Sequence, residues 1–319
     1  MTANTPPIDH RISDHESNIH YDWSKDHDPV LAIKPGETVR FDCREAPDGQ
    51  LGMDATAEDV REITFEGHPL TGPVRIEDAT PGDILEVELL SFEHQGYGFT
   101  YFYSGDADKG LLPEEFEKPA VHVWDIDNGI ATFVNGIRVP IDPFPGCIGV
   151  APGESGIHET TPPRRVGGNV DIKHLTAGST VYLPVEADGA LFSIGDCHAA
   201  QGDGEVCVTG IEAPMSVTAR FHLRSDCDLE QPQFKTTGPF IPTGADEPTY
   251  ATTGIDSDLM IATKKAVRHM IDHLHTERGL SRADAYLFCS AAIDLKINEV
   301  VNSPNWVVSA YVSESLFPK

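Results

Sequence analysis

Basic residues are scarce: 23 Lys and Arg stand against 51 Asp and Glu, a formal net charge of −28. That balance excludes nucleic acid as a partner, because binding phosphates depends on Lys and Arg. Long apolar runs are missing too. IGVAP and GALFSIG fall far short of the roughly 20 residues that span a bilayer. The opening MTANTPPIDHRISDHES carries no apolar h-region of a secretory signal. A cytoplasmic chain with no membrane partner is therefore expected. No CxxC occurs, and the six cysteines (43, 147, 197, 207, 227 and 289) lie far apart, which reads as reduced, mostly buried thiols. No GxSxG nucleophile elbow is present; GESG at 153–156 lacks its spacing.

What is present is acid, spread in pairs such as Glu58-Asp59, Glu77-Asp78 and Glu114-Glu115 rather than gathered in a tail. Such a surface brings solubility and self-repulsion. It suits a high-salt cytoplasm, where screening shortens to about 3 Å at 1 M. The 28 Gly and 24 Pro favour strands and turns over helices. VRFDC, ILEVELLSF, STVYLPVE, EVCVTGIEA and MSVTARFHL read as short strands, and Asn135-Gly136 between alternating runs predicts a hairpin. The expected fold is mainly β, a sandwich or barrel-like core of many short strands, with a smaller C-terminal α+β portion. The division is drawn at residues 1–255 and 256–319, with 230–254 as a connecting loop. In the C-terminal part, 256–279 and 281–297 read as helices with Ser281 as an N-cap, and NWVVSAYV as a strand.

One stretch carries the strongest chemical signal. GDCHAAQGDGEV (195–206) follows the apolar GALFSI with three acids and a histidine. Asp196 and His198 lie two apart, so on a continuing strand they share a face. Asp, His and Glu are the donor set of a hydrolytic metal; the bland alternative is an acidic hairpin tip, with Asp203 a turn residue. Cys197 beside His198 would point the opposite way. Other loops of similar texture hold His20 (NIHYDW), Glu154 and His158 (APGESGIHETTPPRR), and Asn169 and Asp171 (GGNVDIKHL). HMIDH at 269–273 approaches the inverted zincin pattern HxxEH with Asp272 in the wrong place, and reads as an exposed helix surface.

GALFSIGDCHAAQGDGEVCVTGIEAPM resembles the central signature of the acetamidase/formamidase family. The likeness extends, in order, through IHYDW, HPLTGPVRIEDATPGDILEVELL, PFPGCIGVAPGESGIHETTPPRRVGGNVDIKHL, STVYLPV and SRADAYLFCSAAIDLKINEVVNSPNWVVSA. It implies hydrolysis of short amides to a carboxylate and ammonia by a metal-dependent, β-rich homo-oligomer. The metal implied is zinc (Zn2+), with calcium (Ca2+) as the alternative. It implies His20, Asp171, Asp196 and His198 as metal ligands and Glu205 beside them. Glu154 is expected to be the general base, with Glu205 the second choice, and His158 joins them as a catalytic candidate. The rival readings are a lactam hydrolase on the same fold, a non-catalytic metal- or ligand-binding β-sandwich, and a nitrilase-type Cys hydrolase, which the lack of α/β alternation disfavours.

Overall fold

Antiparallel pairing dominates the structure, a computed structural model that describes residues 7–105, 110–225, 229–236, 249–299 and 306–318. The first sheet runs in the order His10–Ile12, Thr38–Cys43, Met215–Arg224, Ile84–His94, Thr180–Pro184 and Gln233–Lys235. The second runs Gly167–Asn169, Phe144–Gly149, Phe192–His198, Leu70–Ile76 and Ile19–His20, with Leu31–Ile33 parallel to Leu70–Ile76. A third, Arg138–Pro140, Ile130–Thr132, Ala120–Asp127 and Tyr97–Phe102, lies beside the second. The mainly β reading holds.

Alternation explains the packing. In Thr38–Cys43, Val39, Phe41 and Cys43 are buried while Arg40 and Asp42 are half-buried, so one face of the strand turns inward. Phe41 and Phe221 of the first sheet close on Phe192 of the second, with ring centroids 5.7 and 4.9 Å from it. Each such ring contributes about 2–3 kcal/mol by leaving water. Turn chemistry sets the connections. Asn135 and Gly136 adopt φ of 59° and 73° and join Ile130–Thr132 to Arg138–Pro140. At Thr80-Pro81-Gly82-Asp83, the Asp83 carboxylate accepts from Thr80 N and Oγ1 at 2.8 and 2.9 Å.

The C-terminal part pairs Thr249–Asp256, Trp306–Ser313 and Asp294–Glu299 in one sheet covered by the helix Leu259–Arg278, while the helix Arg282–Ala292 packs on that helix and on Ala120–Asp127 and Tyr97–Phe102 of the third sheet. The first helix is capped by Asp258 and ended by left-handed Gly279; the second is capped by Ser281, as its sequence predicts. Three details differ from the sequence reading. Thr249–Asp256 already belongs to this sheet, and Gln233–Lys235 forms an edge strand where a loop is expected. Residues 237–248 of that stretch lie outside the described residues. LKI (295–297) is strand rather than helix, because the chain leaves the helix at Ile293 and pairs with Trp306–Ser313. No described helix is long and apolar enough to cross a membrane.

Candidate active site

All seven residues of Phe192–His198 are buried, an unusual place for an aspartate and a histidine. The strand pairs with Phe144–Gly149 through Pro145–Cys197 and Cys147–Gly195, and between them Asp196 turns to φ 53°. Its side chain meets that of His198 on one side of the sheet, with Oδ1 3.6 Å from Nε2. Asp171 arrives from the turn after Gly167–Asn169, where its N–H donates to Gly146 O at 3.2 Å. Glu205 comes from the glycine-rich loop. Glu212 is sewn between two strands, exchanging backbone hydrogen bonds of 2.8 Å with Phe99 and bridging to His198. Asp171, Asp196 and Glu205 all hold left-handed backbone (φ 45°, 53° and 41°), a sparsely populated region that the surrounding fold must impose.

His198 is the hub. Its Nδ1 is 2.7 Å from Gln201 Oε1, which leaves Nε2 facing Glu212 Oε2 at 3.1 Å and Asp196 Oδ1 at 3.6 Å. Glu205 Oε1 lies 3.7 Å from Nδ1. On the far side of Asp196, Oδ2 faces His68 Nε2 at 3.8 Å and Cys147 Sγ at 3.7 Å. A cleft of about 150 Å³ opens on this group, walled by Ala46, Phe65, Tyr101, Tyr103, Thr161 and Asn169. The glycine-rich loop is held from behind by the second C-terminal helix. Gly202 N donates to Ser290 O at 2.9 Å, Cys207 N to Ser290 Oγ at 3.1 Å, and Tyr286 OH to Val206 O at 2.5 Å. A Cβ at Gly202 would sit 1.8 Å from Ile293 O, so only glycine lets loop and helix approach this closely.

Burial governs the protonation of the cluster. It pushes Asp171 up to about 7 and Glu212 up to about 8, in each case against the pull of His198. Burial also drives Glu205 well above the usual carboxylate range, with Asp171 adding to it. Burial works against the charged forms of Asp196 and His198, but their partners outweigh it. His68 and His198 hold the Asp196 carboxyl well below its ordinary range. Glu212 and Asp196 hold the His198 imidazole well above its own.

The group fits a divalent cation. Asp171 Oδ1 is buried without a hydrogen-bond partner, and Asp196 Oδ1 and Glu212 Oε2 are buried with only the His198 imidazole beside them; a buried orphan acceptor is costly. Three such oxygens beside an imidazole form an oxygen-rich N/O donor set, open to zinc or to a harder ion. Close groupings capable of holding a metal are Asp171–His198–Glu205, Asp196–His198–Glu212 and His68–Cys147–Asp196.

Of the residues singled out in the sequence, the structure brings together Asp171, Asp196, His198 and Glu205, with Asn169 in the cleft wall. It does not bring in His20, whose Nδ1 is 2.6 Å from Asp22 O and whose Nε2 is 2.8 Å from Ser193 Oγ; both ring nitrogens are spent. Nor does it bring in Glu154, which is exposed and paired with Arg165 at 3.0 Å, or His158, whose Nε2 lies 3.4 Å from Glu154 O. That loop is held by Lys25, Glu186 and the strand Asp22–Trp23, with Arg165 on Glu154, rather than lining the cleft. In HMIDH, Met270 and Ile271 face the core and the polar members face outward: Asp272 pairs with Arg282, and half-buried His273 stacks on Tyr250 at 3.7 Å. Cys197 is buried, and its contact with Cys43 together with burial raises its thiol well above the ordinary range.

Sequence reasoning missed Glu212, His68, Tyr101 and Tyr103. A signal existed for Glu212, a lone acid inside the apolar VTGIEAPM.

The sequence model of the acetamidase/formamidase family matches residues 7–159 and 154–319. A formamidase of Methylophilus methylotrophus is 25% identical over 97% of this chain and 92% of its own. Among solved structures, a gamma lactamase from Delftia acidovorans superimposes with a TM-score of 0.87 at 26% identity, covering 96% of this chain and 91% of that one. An acetamidase from Bacillus halodurans gives 0.67 at 30% identity, covering 97% and 100%.

Proposed function

The chain belongs to the acetamidase/formamidase family, and on that premise we propose that it hydrolyses short aliphatic amides to a carboxylate and ammonia with the help of a divalent cation. The observation that carries the reading is the gathering of buried carboxylates round the imidazole of His198, with Asp196 and Glu212 in one close grouping and Asp171 and Glu205 in another. Asp171, Asp196, His198 and Glu212 would hold the cation, with zinc the first choice and calcium the alternative. When bound, such an ion polarises an amide carbonyl and lowers the pKa of water from 15.7 to about 7.

The rest of the chemistry falls to the chain itself. An amide resists attack because resonance feeds its carbonyl and nitrogen leaves badly, so a proton must be taken from water and returned to nitrogen. Glu205 suits that task. Its side chain is 17% exposed and lines the cleft, against 2% exposure for Glu212, and burial holds its pKa well above the usual carboxylate range. This moves the general base from Glu154 to Glu205, since Glu154 lies on the surface. Gln201 fixes the His198 ring, and its Nε2 donates to Asp171 O at 3.1 Å, so one amide orients two members of the cluster. The cleft of about 150 Å³ suits a small acyl group.

A second reading, hydrolysis of cyclic amides, draws on the higher TM-score to the gamma lactamase. A substrate panel separates the readings. Formamide and acetamide release ammonia, a γ-lactam opens to an amino acid without releasing any, and a non-catalytic binder turns over none. Dialysis against a strong chelator should abolish turnover and zinc restore it, and His198→Ala should lose cation and activity together while remaining folded. Full activity in His198→Ala would overturn the assignment.

A homo-oligomeric, cytoplasmic enzyme adapted to high salt completes the proposal, on the acid excess and the family's habit. Its melting temperature should rise from 0.1 to about 1 M NaCl as screening shortens; a flat response would refute the salt adaptation.

A further inference from the structure

The cleft over His198 is not the end of the open space. A second cavity of about 260 Å³ adjoins it, lined by Tyr21, Asp48, Gln50, Thr64, Glu66 and Gly67. Two side chains line both: Ala46 and Phe65. The inner space is walled largely by aromatic and apolar side chains above the acids, whereas the outer one is rimmed by polar groups. Phe65 stands where they meet, on the turn between the helix Ala57–Glu62 and the strand Leu70–Ile76.

Its ring, 36% exposed, is braced from one side. It meets His68 edge to face, with centroids 4.9 Å apart at 78°. His68 is itself held: its N–H donates to Thr160 Oγ1 at 2.8 Å, its Nδ1 lies 3.1 Å from the same hydroxyl, and its Nε2 faces Asp196 Oδ2. An aromatic edge-to-face contact of this kind is worth about 0.5–1.5 kcal/mol beyond area burial, enough to favour one ring position. Only a methyl, that of Ala46, shares the partition, so nearly all of its bulk is the phenyl ring.

We infer that Phe65, backed by Ala46, is the acyl-size gate of this enzyme, confining it to amides whose acyl chain ends within the inner cleft. This rests on the amide-hydrolase reading above and deepens it by naming the substrate class: one- to three-carbon amides are taken, and longer chains meet the ring before their carbonyl can reach His198. Removing the ring joins the inner space to the outer cavity and gives a longer chain somewhere to go. Enlarging Ala46 does the reverse, because its side chain lines the inner cleft as well as the outer cavity.

The test compares kcat/KM for formamide, acetamide and butyramide, by ammonia release, in the parent protein, Phe65→Ala and Ala46→Val. A methylene accepted or refused by an apolar pocket is worth about 10- to 200-fold. Phe65→Ala should therefore raise the butyramide-to-acetamide ratio at least about tenfold, and Ala46→Val should lower the acetamide-to-formamide ratio by a similar factor. A parent that hydrolyses formamide while both ratios stay within about twofold in the variants overturns the gate and leaves the function standing. A parent that releases ammonia from none of the three overturns the function, and the gate falls with it. If Phe65→Ala is inactive on every amide, the Ala46→Val ratio decides: a fall supports the gate, no change overturns it.

Discussion

Gly146 offers the sharpest test of how the acids are held. It lies in the buried strand Phe144–Gly149, and its carbonyl accepts the N–H groups of Val170 and Asp171 at 3.0 and 3.2 Å. A Cβ added there would lie 2.6 Å from Asp196 Oδ2, 2.7 Å from Asp171 Oδ1 and 2.7 Å from Asp196 O, all inside the 3.0 Å that real Cβ atoms essentially never breach. The last of these atoms is backbone and cannot rotate away. Gly146→Ala must therefore push the two carboxylates off their positions or part the strands. Overpacking of this kind costs about 1–3 kcal/mol. A displacement approaching 1 Å at a catalytic group costs about 100-fold in rate. We expect kcat/KM to fall about 10- to 100-fold, with weaker cation binding by titration calorimetry and a stability loss of about 1–3 kcal/mol in urea. Val87→Ala, a core truncation in the first sheet, supplies the control, with a loss of about 2 kcal/mol and no change in kcat/KM. If Gly146→Ala keeps parental kcat/KM and cation affinity, close packing against this glycine does not set the site.

Two further substitutions follow. Glu205→Gln should lower kcat by about 100-fold or more, the usual contribution of a proton-transferring group, while Glu154→Gln on the surface stays within about twofold; the reverse order would restore Glu154 as the base. His20 supplies a pH test outside the cluster. Burial lowers its pKa from 6.5 to about 4, against the opposing hydrogen bond to Asp22 O. The unfolded chain then takes up a proton below pH 6.5 that the folded chain accepts only below about 4, so folding weakens as pH falls through that window. The group's full effect is about 3 kcal/mol. His20→Gln removes it, so the stability gap between parent and variant should narrow by about that amount from pH 7 to pH 4 in urea melts. A constant gap would refute the neutral, buried state of His20.

The parts of the fold written in local chemistry were legible. Asn135-Gly136 needs left-handed backbone and takes it, Asp83 closes its turn, and Ser281 caps its helix. Period-two alternation also placed Asp196 and His198 on one side. The rest of the site depends on contacts between distant segments, which periodicity does not record. Glu212 belongs to the cluster only because its backbone bridges Phe99 and His198. The left-handed turns at Asp171, Asp196 and Glu205 run against local preference and are imposed by packing. Glu154 and His158 sit in as suggestive a context as Asp171. What separates them is burial, decided by which loop folds over the sheet and which stays in water. His20 failed as a ligand for a plainer reason: Ser193, 173 residues away, claims its second nitrogen.

The brace behind the glycine-rich loop has a consequence for biosynthesis. Loop residues 202–207 take their hydrogen bonds from Tyr286 and Ser290, and Asp203 N donates to Asp294 Oδ1 at 3.1 Å. The contacts that complete the site therefore span some 80 to 90 positions of chain, and such non-local closures form late in folding. A nascent chain whose second C-terminal helix is still inside the ribosome can pair its first three sheets but has neither the C-terminal sheet nor a seat for Glu205. Catalytic competence therefore waits for residues 282–294, so a product terminated before them is inert rather than partly active.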